Sequence, residues 1–362
     1  DITITTEAAT VVQGRMHGIY ANNKGKGKTT ITANGDVTAM VAEGIAVRNG
    51  RFDTPVGTDL TVTTGVSTTV SGYEGIRALN YGSGSTTVTA NGDVTATGRS
   101  FGLGIIARNG RLETPVGMDV TVTTGVGTTI SGGYGIAALN YGSGSTTVTA
   151  NGDVTATGSY GLGIKARNGL SFRPAAGTDL TVTTGVSTTV SGYDGIYAHN
   201  FGSGSTTVIV NGDVTATGDG SYSFGTGFGI NARNGSDIDP RGTDLTVTIG
   251  VGATVTGSTA IFARNYGSGS TTVTVGAAST VTSTGVDANG FAIDLRGRPG
   301  NIVLAGTLNG GGGGAVRFDQ AAALEDRLEL HPTATVNGNV FAGPGTDTLA
   351  FGGSGAGEFD LS

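Results

Sequence analysis

The chain has no cysteine and no tryptophan, only three histidines, and a charged fraction of 13%. Without cysteine there is neither a disulfide scaffold nor a thiolate metal site, and a cysteine-free chain suits export through an oxidising space. The charge is about half the usual ~25%. Disorder through charge would need the reverse, together with few β-branched residues, yet Thr and Val are abundant here. The 68 glycines therefore punctuate a folded structure. A net charge of -7 with a pI near 4.9 lacks the basic balance of a nucleic-acid binder. No apolar run approaches the ~18 residues of a membrane helix. No signal-peptide pattern is legible either, the sequence opening on a strand-like "DITIT".

What the chain has in quantity is repetition. "NYGSGSTTVTANGDVTATG" at residues 80–98 recurs letter for letter at 140–158, and near-copies begin at Asn200 and Asn265. Each block holds two related halves that end in Gly-Ile-x-Ala-x-Asn or a near relative. The anchors are Ile19, Ile45, Ile76, Ile105, Ile136, Ile164, Ile196, Ile230, Ile261 and Ile293, spaced 26 to 34 residues apart, so the unit is about thirty residues. Each unit contains three short β-rich runs, such as "LTVTT", "STTVS" and "IRALN", alternating with period two. Leu60, Val62, Val70, Ile76 and Ala78 are expected to point inward, and Thr61, Thr63, Arg77 and Leu79 outward. Three strands and three turns per unit describe a coil of a parallel β-helix: an all-β solenoid of about twelve coils, roughly 55–60 Å long at the spacing of paired strands. Asn recurs at the end of the third strand, from Asn23 to Asn265. It is expected to take the left-handed corner conformation and to stack its amides along the axis. Residues 1–300 read as regular coils paired in sixty-residue repeats, and 301–362 as less regular ones. Neither end reads as capped, as in a segment cut from a longer protein.

The Thr/Gly-rich coils, with the closing passage "GTLNGGGGGAVRF" and "DRLELHPTATVNGNVFAGPGTDTLAFGGSGAGEFDLS", resemble a bacterial autotransporter passenger domain, at the end that precedes the autochaperone segment and outer-membrane barrel. The resemblance implies a right-handed β-helix exported to the cell surface and used for adhesion, aggregation or host contact. Neither an autochaperone segment nor a barrel is legible in these 362 residues.

Motifs that could carry chemistry dissolve on inspection. "GKGKTT" ends like a phosphate loop, but Asn22 stands where the loop needs its first Gly, and a strand follows where a helix should. "AGPGTDTLAF" resembles one calcium-binding nonapeptide around Asp347, but Gly357 occupies the matching place in the next turn, and such sites need stacked copies. Asp36, Asp93, Asp153 and Asp213 recur in "NGD" turns two coils apart, about 9.6 Å. That is too far for a retaining acid pair at ~5–5.5 Å, and an inverting pair at ~6.5–9.5 Å is barely reachable. No Gly-x-Ser-x-Gly elbow exists, and His17, His199 and His331 are too dispersed for a triad. The expectation is no enzyme, no metal and no cofactor.

Three surface patterns remain. Thr-x-Thr pairs (Thr61 and Thr63, Thr87 and Thr89, Thr121 and Thr123) resemble ice-binding solenoids, though Thr is also the ordinary solvent-facing β residue. A column three residues past each anchor reads Arg48, Leu79, Arg108, Leu139, Arg167, His199, Arg233, Arg264, Arg296. These are either solvated arginines paired with carboxylates or a stripe gripping an acidic glycan, with Arg108 and Arg167 at its centre. Finally, four Pro-bearing insertions (51–57, 111–117, 170–177 and 236–242) follow the Asn of every second coil. They offer Arg51, Phe52, Arg111, Leu112, Phe172, Arg173, Ile238 and Arg241 as a comb of binding loops on a rigid scaffold. The function expected is a surface adhesin or stalk, for a host or bacterial surface protein or glycan, or for self-association. Nucleic acid is not an expected partner, and membrane is reached only through a barrel. A polysaccharide-degrading β-helix and an ice-binding solenoid are the alternatives.

Overall fold

The computed structural model describes residues 1–51, 56–98, 100–111, 115–170, 177–218, 227–320 and 323–354. Thirteen, twelve and twelve strands form three sheets in which each strand pairs in parallel with the strand three places along the chain. The result is a right-handed parallel β-helix of twelve three-strand coils and a final strand, Thr348–Phe351. No helix occurs among the described residues. The expected fold and coil number hold, and the same sheets continue past residue 300 through Gly300–Leu304, Arg327–Leu330 and Thr348–Phe351.

Alternation decides which side chains enter. In Leu60–Thr64 and Thr86–Ala90 the first, third and fifth residues are buried and the intervening threonines half-buried. The register then stacks like on like. In the third sheet Ile76 pairs with Ile105, Ile105 with Ile136, and Ile136 with Ile164. In the first sheet Val62, Val88, Val122, Val148 and Val182 form one continuous column. All of these are fully buried. Each such burial contributes roughly 1.5–3 kcal/mol relative to exposure, and no coil can achieve it alone.

A glycine precedes each of the first eight anchors, from Gly18 to Gly229. The reason is close approach along the axis: a Cβ on Gly104 would sit 2.8 Å from both Ile130 Cγ2 and Gly135 O. The corner conformation differs from expectation. Among the described residues no Asn takes the left-handed region. The glycine after it does, at Gly50, Gly110, Gly169 and Gly235, with φ of 84°, 63°, 74° and 71°. Asn instead ends the strand with its side chain inward, where it serves main-chain groups. Leu79 also departs from expectation, being 1% exposed. It pairs in register between Arg48 and Arg108.

Replacing Ile136 by Asp, between Ile105 and Ile164, removes apolar burial and strands an unpaired charge, costing several kcal/mol. The expected outcome is a β-type circular dichroism spectrum that melts at clearly lower temperature than the parent. An unchanged melting temperature would refute the ladder.

Candidate functional site

The corner between the third and first sheets carries a two-coil alternation. Coils two, four, six and eight end in Arg-Asn-Gly, as at Arg108-Asn109-Gly110, and then run into an insertion. Coils three, five, seven and nine end in Asn followed by an aromatic: Tyr81, Tyr141, Phe201 and Tyr266. In the odd coils the Asn amide closes the corner. Asn140 Oδ1 accepts the Gly142 N–H at 2.8 Å, and its Nδ2 donates to Met118 O at 2.8 Å and to Ser145 O at 3.0 Å. Asn200 and Asn265 repeat this arrangement. Amide-to-amide bonds occur at Asn23 to Asn49, 3.0 Å, and Asn49 to Asn80, 3.3 Å. The expected amide ladder is thus largely replaced by capping of the backbone, which the buried carbonyls require.

Each insertion rejoins the rod by an equivalent bond. The carbonyls of Gly57, Gly117, Gly177 and Gly242 accept from Ser83, Ser143, Ser203 and Ser268 N–H at 3.0, 3.0, 2.9 and 2.8 Å. The loop bases therefore lie in register on one edge, beside the arginine column. Of the loop residues expected to bind, Arg51 is exposed and Arg111 half-buried. Ile238 is 74% exposed, and Arg241 pairs with Asp239 at 2.9 Å. Phe52, Leu112, Phe172 and Arg173 lie outside the described residues.

Two members of the arginine column pair with carboxylates as its solvated reading expected, Arg233 with Asp237 and Arg296 with Asp294, whereas others lie against rings. Arg108 donates from Nη2 to Tyr81 Oη at 2.9 Å and lies 5.5 Å from that ring's centre. Arg167 sits 5.3 Å from Phe201, Arg233 lies 4.7 Å from Tyr266, and Arg264 4.5 Å from the same ring. Arg167 and Arg233 fix their Nε on Gly169 O and Gly235 O at 3.1 and 3.2 Å. Among the described residues no ion pair reaches Arg108, Arg167 or Arg264; Arg233 touches exposed Asp237 at 3.5 Å. Cation–ring contacts contribute about 0.5–1 kcal/mol when exposed and more when desolvated. The aromatics were missed from sequence although each stands in the repeated "NYG" or "NFG". Only the coil register reveals that they flank an arginine.

Elsewhere the charged groups hold coils together. Asp93 and Asp153 of the "NGD" turns accept the N–H of Thr129 and Thr189 in the next coil at 2.8 and 2.7 Å. Asp119 accepts both N–H and Oγ of Ser145 at 2.8 Å. Asp294, 2% exposed, takes Arg296 and Arg317 at 3.1 and 2.7 Å. Near the start, His17 and Arg77 flank Glu43 at 2.9 and 3.0 Å, beside a pocket of ≈ 160 Å³ that Tyr20 and Arg48 also line. Among the described residues no three His, Asp or Glu side chains gather as a metal site would require. Outward threonines stack in register, Thr61 on Thr87 on Thr121 on Thr147, until Ile209 interrupts the parallel column after Thr183.

These features define a class of protein, the parallel β-solenoids with one differentiated edge. Comparison with family models, with curated proteins and with solved structures finds no match.

His199 interrupts the arginine column. Its ring stacks on Tyr197 at 3.6 Å and meets Asn231 Oδ1 at 2.9 Å. Burial drives its pKa down to about 3, opposed by the Asn231 hydrogen bond and reinforced by Arg233, Arg167 and Lys165. The imidazole is neutral in the fold, whereas an unfolded chain takes up a proton near pH 6.5. Stability is therefore complete above about pH 6.5 and falls as pH drops toward about 3, by an amount on the order of a few kcal/mol. His199→Gln, which keeps a donor for Asn231, is expected to flatten this dependence. Melting temperatures from pH 7 to 4 that fall equally in both proteins would contradict it.

Proposed function

We propose that this chain is a rigid binding rod displayed outside the cell, an adhesin or stalk of the bacterial autotransporter passenger type. The observation that carries the reading is the convergence on one edge of four insertions, each anchored by the same Gly carbonyl to Ser N–H bond, and the arginine column beside them. Loops fixed on a rigid frame are where binding residues concentrate. The partner is a host or bacterial surface protein or glycan, or a second rod, and the rod acts by contact rather than by catalysis. The "NGD" carboxylates support this, since each is engaged in holding the next coil. A gene segment downstream encoding an outer-membrane barrel would supply the means of display.

The in-register threonine columns favour one second reading, an ice-binding face. Thermal hysteresis of the purified rod tests it directly, and its absence removes it.

Trimming all four insertions to Gly-Gly is expected to lower attachment to cells at least about tenfold, because the contacts act together, while leaving the melting temperature nearly unchanged. Attachment that survives the trimming but fails when Arg108 and Arg167 become Glu moves the site to the arginine column. Attachment unaffected by either change refutes this edge as the binding surface.

A further inference from the structure

The third sheet's outer face is charged against the character of the whole chain. Its six strands from Leu103–Asn109 to Thr259–Asn265 carry five cations, Arg108, Lys165, Arg167, Arg233 and Arg264, and one carboxylate, Asp194. Asp194 is 7% exposed and directed at the Gly227 and Phe228 N–H groups, at 2.7 and 2.9 Å. It does not neutralise the face. On a chain of net charge -7 this is a segregated cationic strip. The Nε of Arg108 and of Arg264 is buried without a hydrogen-bond partner, so these guanidiniums are held by rings rather than by counter-charges.

The strip also has a period. Arg108, Arg167 and Arg233 recur at every second coil, about 9.6 Å, with Tyr141, Phe201 and Tyr266 on the coils between and after them. That is close to the length of one disaccharide in an extended sugar chain, and longer than the step between neighbouring phosphates of a nucleic acid. Fixed guanidiniums recognise carboxylate and sulfate groups, and ring faces and edges suit the apolar faces of sugars.

Building on the reading of this edge as a binding surface, we propose that the strip holds a linear anionic polysaccharide along the rod axis, one disaccharide per pair of coils. Its acid groups meet Arg108, Arg167, Arg233 and Arg264, and its sugar rings lie against the alternating aromatics. Lys165 adds to the field. Burial, and then Arg167, press its ammonium below the usual lysine range, as expected where cations crowd without a counter-charge. The other groups facing the strip are neutral His199, the exposed Asp237 beside Arg233, and Asp294, which is taken up by Arg296 and Arg317.

The test is binding of the intact rod to sulfated uronate oligosaccharides of graded length, with a neutral dextran and a single-stranded oligonucleotide of matched lengths. Affinity should rise with length until the sugar crosses from Arg108 to Arg264, about 24 Å. It should fall with salt at a log–log slope of roughly -2 to -3 for four cations. Changing all four arginines to Gln should weaken binding about a hundredfold, with melting followed to verify the fold. Leu139→Arg, which adds a cation on a neutral rung, should tighten it severalfold and keeps the proposal testable if the fourfold variant fails to fold. Equal binding of dextran, or full affinity in the fourfold variant, overturns the proposal. Tighter binding of the oligonucleotide overturns it in favour of a phosphate-backbone partner. If cells still attach through the insertions while no acidic sugar binds, the strip is refuted and the adhesin reading stands.

Discussion

Each strand of this protein finds its hydrogen-bond partners one coil away, in parallel and in register, and every other feature is subordinate to that pairing. Main-chain groups that leave the pattern must be satisfied by something else, and a slip of one residue would turn every buried Ile or Val outward. The constraint explains why the sequence repeats. A coil that stacks on Ile76, Ala78 and Asn80 must itself offer residues of that size and polarity, and Ile105, Ala107 and Asn109 do so. It also explains the glycine columns, where neighbouring coils approach too closely for a side chain. The aspartates contribute in the same way, since Asp93, Asp119 and Asp153 each bind the coil that follows. Hydrogen bonds to a charged acceptor contribute about 1.5–3 kcal/mol each at most, the same order as burying one Ile in the core.

The same stacking makes the surface a set of columns, and columns of like charge repel. Unit charges one coil apart, about 4.8 Å, repel by about 0.9 kcal/mol even in bulk water, and two coils apart by about 0.4 kcal/mol. The arginine column follows this arithmetic. Arg48, Arg108, Arg167 and Arg233 alternate with uncharged Leu79, Leu139 and His199. A protonated His199 would fill the gap between Arg167 and Arg233, and its burial prevents that. Where the alternation lapses, from Arg233 to Arg264 to Arg296, other groups intervene. Tyr266 lies against the first two, and Asp294 takes the third.

How much of this is legible in the sequence depends on how far apart the interacting residues lie. Alternation within five residues identifies the strands and the inward set, and the thirty-residue spacing of the isoleucines identifies the coil. Both hold along the described chain. Features set by the neighbouring coil are less accessible. Leu79 follows the outward parity of its strand and is nonetheless buried, which nothing within its own coil announces. The arginines read as partners of carboxylates, the usual solvated state, because nothing local to Arg167 announces Phe201, thirty-four residues away and one coil on. The Asn corner was misassigned for a related reason. A residue that tolerates left-handed backbone also has an amide able to cap buried carbonyls, and the adjacent Gly relieves it of the first task.

A frame that repeats its backbone so closely gives repeated side chains a cooperative meaning. A polymer laid along the axis meets the same group at each second coil without either partner changing shape, so the ordering cost that usually offsets association is small. Each additional contact then acts at high effective concentration. Single exposed ion pairs are weak, at about 0.2–1 kcal/mol, and an isolated Arg108 would hold little. Three or four of them at fixed intervals hold more. On this view the letter-for-letter identity of residues 80–98 and 140–158 has a functional side as well as a structural one. Adding another sixty residues lengthens the rod by two coils that stack correctly, and it extends the edge by one more arginine, one more ring and one more insertion in register.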